Sequence, residues 1–154
     1  MPLTSDAFAP FGTVFPLDGR NDAAVAVSQG DGYLDARTLA PLIDSPGSLG
    51  YTTGPVLPAQ ITQMERHFDT QEGAFGAGKP FVLAVAAPSA QPPAPADVAA
   101  FTVPVGWAVV LERGVWHAAC LGVDGPTPYY WFAYCANSGV SEWEPLAEPV
   151  EVRA

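Results

Sequence analysis

Glycine and proline divide this chain into short segments, and that constrains its fold more than any other feature. They number 15 and 17 among 154 residues, about a fifth of the chain. Glycine favours turns, and proline interrupts both helices and central strands, so few long elements can form. Between these breaks lie apolar runs of strand length, such as GTVFPL, PFVLAVAAP and PYYWFAYCA. The pattern predicts an all-β sandwich or small barrel with short helices.

The length of the chain indicates one domain, residues 1–154, large enough to bury an apolar core. The opening segment LTSDAFAPFG predicts a short helix that is capped by Thr4 or Ser5 and ended by Gly12. The segment APSAQPPAPADVAA is rich in proline and alanine, and it predicts a surface loop within the domain.

The acidic composition narrows the choice of partners and of compartment. Sixteen acidic residues face six basic ones, which gives a net charge of −10. Nucleic acid binding requires a basic surface, so we expect no nucleic acid partner and no anionic membrane partner. No apolar stretch approaches the roughly 20 residues of a membrane span, and the N-terminus does not resemble a signal peptide. We therefore expect a cytoplasmic protein that acts on a small molecule.

Two other features are interpreted as structural. The acidic segment SEWEPLAEPVEVRA predicts a solubilising surface near the C-terminus. Cys120 and Cys135 lie in apolar segments without metal-binding spacing, and we expect both to be buried, reduced thiols. A disulfide between them stays open as an alternative.

The two histidines, His67 and His117, are the side chains best suited to proton transfer near neutral pH. His67 lies in the strand-like run ITQMERHF, where successive side chains point to opposite faces. One predicted face carries Ile61, Gln63, Glu65 and His67, and the other carries Thr62, Met64, Arg66 and Phe68. Glu65 and His67 should therefore point the same way, and Arg66 should pair elsewhere.

The spacing of Glu65, His67 and Glu72, with His117 fifty residues after His67, resembles the two motifs of the cupin superfamily. The first motif is H-x-H-x(4)-E on one strand, and the second is P-x-G-x-x-H. Here Glu65 takes the place of the first histidine, and Glu112 takes the place of the proline. The resemblance implies a cupin-like β-barrel, or double-stranded β-helix, with the rings of His67 and His117 facing one cavity. We expect their nitrogens to approach within about 8 Å, so that they can share a ligand.

Several stretches are similar, in the same order, to the ureidoglycolate lyase family, cupin-fold enzymes of allantoin degradation within purine catabolism. They are SDAFAPFGTVF, VSQG, LPAQITQMERH, FVLAVAAP and RGVWHAA. The resemblance implies a carbon–nitrogen lyase of the amidine-lyase type that cleaves ureidoglycolate to glyoxylate and urea, and it implies a homodimer. It assigns catalysis to His67, His117 and Glu65. It assigns substrate contacts to Gln29, Arg37, Gln71 and Trp116, although Trp116 is also a candidate core residue.

The chain departs from the family at positions where we expect the pocket. Ser28 replaces the family's asparagine, and the segment YLDARTL lacks the family's histidine, which leaves Arg37 as the candidate cation. Ala118 replaces the second histidine of the family's W-H-H. These departures fall on expected pocket positions and not on the scaffold.

A divalent metal is a second open question. Glu65, His67, Glu72 and His117 would provide two nitrogen and two oxygen ligands, a donor set that suits Zn, Mn, Ni or Fe. Members of the lyase family need not share the usual cupin metal site.

Three function classes stay open, and the ureidoglycolate lyase-like enzyme on a small acid is the first. The second is another cupin enzyme, an isomerase, epimerase or metal-dependent dioxygenase acting on a small polar acid or sugar. The third is a non-catalytic cupin domain that binds a small molecule. A tightly bound redox metal would favour an oxygenase, and binding without turnover would favour the third class.

Overall fold

The computed structural model describes residues 1–135 and 142–153, and within these ranges the chain is almost entirely strand and loop. The α-helix α1 spans Ser5–Phe8, and a 3-10 turn spans Pro95–Asp97. The strands are β1 Gly12–Pro16, β2 Val25–Gly30, β3 Tyr33–Thr38, β4 Ser48–Thr53, β5 Ala59–Glu65, β6 Glu72–Gly76, β7 Phe81–Ala86, β8 Ala99–Val103, β9 Trp107–Leu111, β10 Trp116–His117, β11 Leu121–Gly122, β12 Pro128–Ala133 and β13 Trp143–Val152.

The predicted helix near the N-terminus is present, and it is one turn long. Thr4 is its N-cap, and the Thr4 hydroxyl accepts a hydrogen bond from the Ala7 amide at 3.2 Å. This bond satisfies one of the amides that a helix start leaves unpaired. The helix ends at Phe8, before the predicted stop at Gly12, and Gly12 is the first residue of β1.

Two antiparallel sheets make up the body of the protein. The front sheet has the strand order β1-β9-β6-β12-β4. In the back sheet, β7 pairs with β8, β10 and β11, β10 also pairs with β5, and β5 pairs with β13. The remaining pair, β2 and β3, forms a separate two-stranded hairpin.

The core has two parts because the back sheet is covered on both faces. Between the sheets, alternate residues of β7 (Phe81, Leu83 and Val85) pack with front-sheet residues such as Val109. The other residues of β7 join Met64 and Trp116 in an outer core on the far side of the back sheet. All six residues of β7 are therefore buried. The two sheets enclose the inner core, and the predicted all-β fold with short helices is confirmed.

The predicted alternation of ITQMERHF is correct at one end of the run and wrong at the other. Met64 lies in the outer core, whereas Glu65 points to the opposite side. Ile61, however, packs in the same outer core as Met64, three residues apart. The period of two breaks where the pairing of β5 with β13 changes register, between Pro145 and Val150.

Two structural interpretations of the sequence need correction. The acidic C-terminal segment is not merely a solubilising surface, because residues 143–152 form β13 at the edge of the back sheet. Cys120 is buried and reduced as expected, but Cys135 is exposed, since it lies beyond the end of β12. Both thiols are free. In residues 1–135 and 142–153, no helix is long and apolar enough to cross a membrane.

Candidate active site

Four predicted side chains meet where the two sheets face each other. Glu65 ends β5, and His67 follows it in the extended segment that leaves the strand. His117 lies in β10, and it pairs with Glu65 and with Val85 of β7. Glu72 comes from the front sheet, where it begins β6 opposite Leu111. The cluster thus joins residues from both sheets.

The distances in the cluster are short enough for its members to share one ligand. Nε2 of His67 lies 3.1 Å from Oε2 of Glu72 and 3.9 Å from Oε2 of Glu65. Nε2 of His117 lies 3.6 Å from Oε1 of Glu65 and 3.7 Å from Oε2 of Glu72. The two imidazole centroids are 5.1 Å apart. The predicted meeting of His67 and His117 at one site therefore agrees with the geometry.

Each imidazole is oriented through its Nδ1 atom. Nδ1 of His117 lies 3.1 Å from the Val115 carbonyl, an arrangement in which the ring nitrogen donates. Nδ1 of His67 contacts the carboxylate of Glu142. Both Nε2 atoms are consequently directed into the cluster, and both are buried without a hydrogen-bond partner among the described residues.

The charges of the cluster stabilise one another against burial. Burial alone would raise the pKa of Glu72, but the adjacent His117 and His67 lower that pKa to about 2. Burial alone would lower the pKa of His117, but Glu72 and Glu65 raise it to about 10. For His67, burial is again outweighed by Glu72, and the pKa is raised. Without a metal, the cluster holds an ionised Glu72 beside a protonated His117 at neutral pH.

The same four residues are a chemically suitable cation site. One ligand atom from each of Glu65, His67, Glu72 and His117 lies within 4.8 Å of all the others. Buried ring nitrogens that lack a hydrogen-bond partner are costly unless something binds them. Two imidazole nitrogens and two carboxylates form a donor set common for divalent transition metals. The residues therefore fit a divalent metal.

The sequence profile of the ureidoglycolate lyase family matches residues 1–150, nearly the whole chain. The chain belongs to the ureidoglycolate lyase family. The ureidoglycolate lyase of Mesorhizobium japonicum is 28% identical over 132 residues, which cover 83% of this chain and 80% of that protein. The one from Stutzerimonas stutzeri is 32% identical over 127 residues, which cover 80% of this chain and 74% of that protein. The predicted family is confirmed, and the match favours a lyase over the other two function classes.

Two solved structures align with part of this chain at low sequence identity. RmlC from Streptococcus suis, in complex with dTDP-D-xylose, aligns with a TM-score of 0.49 and 7% identity, covering 75% of this chain and 64% of that one. The chain thus spans just under two thirds of that structure. A dTDP sugar isomerase from Desulfovibrio desulfuricans G20 aligns with a TM-score of 0.48 and 13% identity, covering 80% and 81%.

The structure does not bring every predicted site residue of this lyase family member to the cluster. Trp116 is fully buried in the outer core, on the opposite side of β10 from His117, so its assignment to the substrate pocket is corrected. Trp116 donates to the Ser89 hydroxyl at 2.9 Å, and the Arg66 guanidinium lies over its ring. Arg66 also contacts Glu144 at 3.2 Å, as expected for a residue facing away from the site.

Gln71 is adjacent to Glu72 in sequence, but its side chain is engaged elsewhere. It accepts from the Asp44 amide and donates to Glu112, both at 2.9 Å. It lines a groove of about 600 Å³ beneath residues 40–46, on the outer side of the front sheet. The structure therefore places Gln71 outside the cluster.

Gln29 and Arg37 both lie on the β2–β3 hairpin, where they are exposed. The hairpin forms its own sheet, so within one chain neither residue is brought to the cluster. Ser28 lies on the same hairpin. Ala118, expected at the pocket, instead packs in the outer core with Trp116.

Glu142 is the site residue that sequence reasoning missed. It lies in the acidic C-terminal segment that was interpreted as a surface, and its spacing from His67 carries no motif. The signal that could have located it is its position just before β13. The two prolines of β13 made that segment look unlike a strand.

Proposed function

We propose that the cluster of Glu65, His67, Glu72 and His117 is the active centre in which this member of the ureidoglycolate lyase family cleaves ureidoglycolate to glyoxylate and urea. The observation that carries the proposal is the convergence of two imidazoles and two carboxylates from both sheets. This convergence joins groups that can accept, hold and return protons with groups that can bind a cation.

The reaction moves two protons and breaks one bond. The substrate hydroxyl loses its proton as the carbonyl of glyoxylate forms, the carbon–nitrogen bond breaks, and the urea nitrogen gains a proton. Without a metal, His117 carries a proton at neutral pH, since its pKa is raised to about 10, and it would protonate the leaving nitrogen. Glu65, whose carboxylate lies 3.9 Å from Nε2 of His67, would receive the hydroxyl proton. General acid–base catalysis of this kind contributes roughly 10²–10⁴ in rate.

A divalent cation held by Glu65, His67, Glu72 and His117 would polarise the substrate hydroxyl and lower its pKa. Ligation and proton transfer are alternative roles for the two Nε2 atoms, because a nitrogen that binds a metal carries no proton. The orphaned Nε2 atoms support the ligating role, and the ion-paired charges support the acid–base role. Metal analysis of active protein distinguishes the two.

The substrate's carboxylate strengthens the case for a cation. The cluster already contains the carboxylates of Glu65 and Glu72, and in the described ranges no arginine or lysine pairs with either. Arg66 and Arg113 are paired with other acids, Glu144 and Asp44. The imidazoles of His67 and His117 already face these two carboxylates, so an anion that enters the site also needs a metal, backbone donors or a residue from another subunit.

We further propose that the protein is a cytoplasmic homodimer of one domain, 1–154, that works in allantoin degradation. The exposed apolar side chains on and beside the β2–β3 hairpin support self-association: Val27, Tyr33, Leu34 and Leu39, with Leu49 and Tyr51 on β4. An isolated two-stranded hairpin is marginally stable in water, so a covering partner would stabilise it.

The test is an assay for glyoxylate and urea release from ureidoglycolate, with metal content measured on the same sample. His67→Ala and His117→Ala should each lose roughly 10²–10⁴ in kcat. The control is Glu144→Gln, whose carboxylate pairs with Arg66 on the far side of the sheet and should leave turnover unchanged. Folded histidine variants with full activity would refute the assignment of the site.

A further inference from the structure

We propose that Glu142 is a positioning residue that fixes the ring of His67, so that Nε2 rather than Nδ1 faces the cluster. The inference rests on the proposed function for its effect on the reaction. The geometric part, a hydrogen bond from Nδ1–H of His67 to Glu142, can be tested without turnover.

The contacts of His67 show why a positioning group is needed. His67 lies beyond the end of β5, and 18% of its side chain is exposed, against 4% for His117. The terminal torsion of a histidine side chain has a broad, roughly two-fold profile, so an unrestrained ring can present either nitrogen. Glu142 contacts Nδ1 while Nε2 lies 3.1 Å from Glu72, so the ring is held from two sides.

Strand pairing gives independent support for this placement. In β13, Trp143 pairs with Glu65 and Glu144 pairs with Met64. Glu142 immediately precedes this paired segment, at the end of β5 from which the chain continues to His67. Glu144, two residues on, binds Arg66 instead. Two nearby carboxylates thus have separate partners, and this separation provides a matched control.

The two histidines are oriented by acceptors of different strength. His117 donates to a neutral backbone carbonyl, that of Val115, whereas His67 has a carboxylate as its partner. A carboxylate that accepts from the far nitrogen fixes the tautomer and makes the near nitrogen a better base and metal ligand. Removing such a partner typically lowers metal affinity 10–100-fold. Glu142 should therefore affect His67 and leave His117 unchanged.

The first readout is the imidazole ¹H–¹⁵N spectrum of the metal-free protein. The chain has two histidines, so the spectrum contains two ring systems. Nδ1 of His67 carries a proton in both its charged and its neutral oriented form, and its bond to Glu142 should protect that proton from exchange. We expect Glu142→Ala to lose the protected His67 signal and Glu142→Gln, which keeps an acceptor oxygen, to retain it. The His117 signal is the internal reference.

The second readout is the affinity for Zn²⁺, measured by competition with a chromophoric chelator. We expect affinity to fall 10–100-fold in Glu142→Ala, to fall less in Glu142→Gln and to stay at the wild-type value in Glu144→Gln. An unchanged His67 signal with unchanged Zn²⁺ affinity in Glu142→Ala would overturn the inference. Equal losses in Glu142→Ala and Glu144→Gln would also overturn it.

These readouts separate the inference from the proposed function. A wild-type protein with a protected His67 signal that is lost in Glu142→Ala supports the positioning role, even if it binds no Zn²⁺ and does not turn over ureidoglycolate. Failure of turnover refutes the proposed function alone. Turnover without the Glu142-dependent signal refutes the positioning role alone.

Discussion

The substitution Glu72→Gln removes the buried carboxylate that faces both imidazoles while keeping the shape of the side chain. In the folded, metal-free protein the pKa of Glu72 falls from 4.5 to about 2. At about 1.36 kcal/mol per pKa unit, this fall corresponds to about 3 kcal/mol of stability. The raised pKa of His117 describes the same ion pair, so this contribution is counted once. We expect Glu72→Gln to be less stable than the wild type by about 3 kcal/mol near pH 6.

The difference in stability between the wild type and Glu72→Gln should depend on pH. A carboxylate whose folded-state pKa is depressed stabilises the protein fully above its unfolded pKa of 4.5, and it loses that stabilisation as pH falls towards about 2. The difference between wild type and variant should therefore shrink between pH 4.5 and pH 3. Urea unfolding in the presence of a chelator measures it, with the exposed Glu151→Gln as a control near zero. An equally large difference at pH 6 and at pH 3 would refute the ion-pair reasoning.

Three further predictions test the metal, the assembly and the corrected core residue. Zn²⁺ binding should release protons from His117 and His67, whose pKa values are raised, and the affinity should weaken as pH falls. Calorimetry in buffers of different ionisation enthalpy measures the proton release, and binding without proton release would count against ligation by the histidines. Leu34→Glu should halve the mass seen by light scattering, because Leu34 is exposed on the hairpin; an unaffected dimer would exclude that interface. Trp116→Phe should lose about 1 kcal/mol of stability, because it loses the hydrogen bond to Ser89, and its kcat should stay unchanged. A large fall in kcat would show that Trp116 takes part in the substrate pocket.

The strands that sequence analysis located are those with strong apolar or β-branched runs. PFVLAVAAP became β7, buried on both faces, and PYYWFAYCA became β12. The strands it did not identify have weak local signals. β6, EGAFG, is rich in glycine, yet it lies between β9 and β12, where both neighbours satisfy its backbone. Its strand state comes from tertiary pairing and not from local propensity.

β13 shows the same limit at the edge of a sheet. Its sequence, WEPLAEPVEV, carries two prolines and three glutamates, which indicate a loop or an acidic surface. Proline is tolerated on an edge strand because one side of the strand needs no ladder bonds, and among the described residues β13 pairs with β5 alone. Charged residues also suit an exposed edge. The features that argued against a strand are those by which an edge strand avoids further pairing.

The site residues also fall into two groups: some are marked by local motifs, and others depend on long-range strand pairing. Glu65, His67 and His117 were predictable, because alternation along a strand and a glycine three residues before a histidine are local patterns. Glu142 was not, because its contact with His67 depends on β13 returning beside β5 across 75 residues. The hairpin residues Gln29 and Arg37 present the opposite case, since local similarity marked them while the fold of one chain leaves them exposed. If the homodimer forms through this hairpin, Gln29 and Arg37 of one copy lie close to the second copy. Arg37 would then supply the positive charge that the site needs for the substrate's carboxylate.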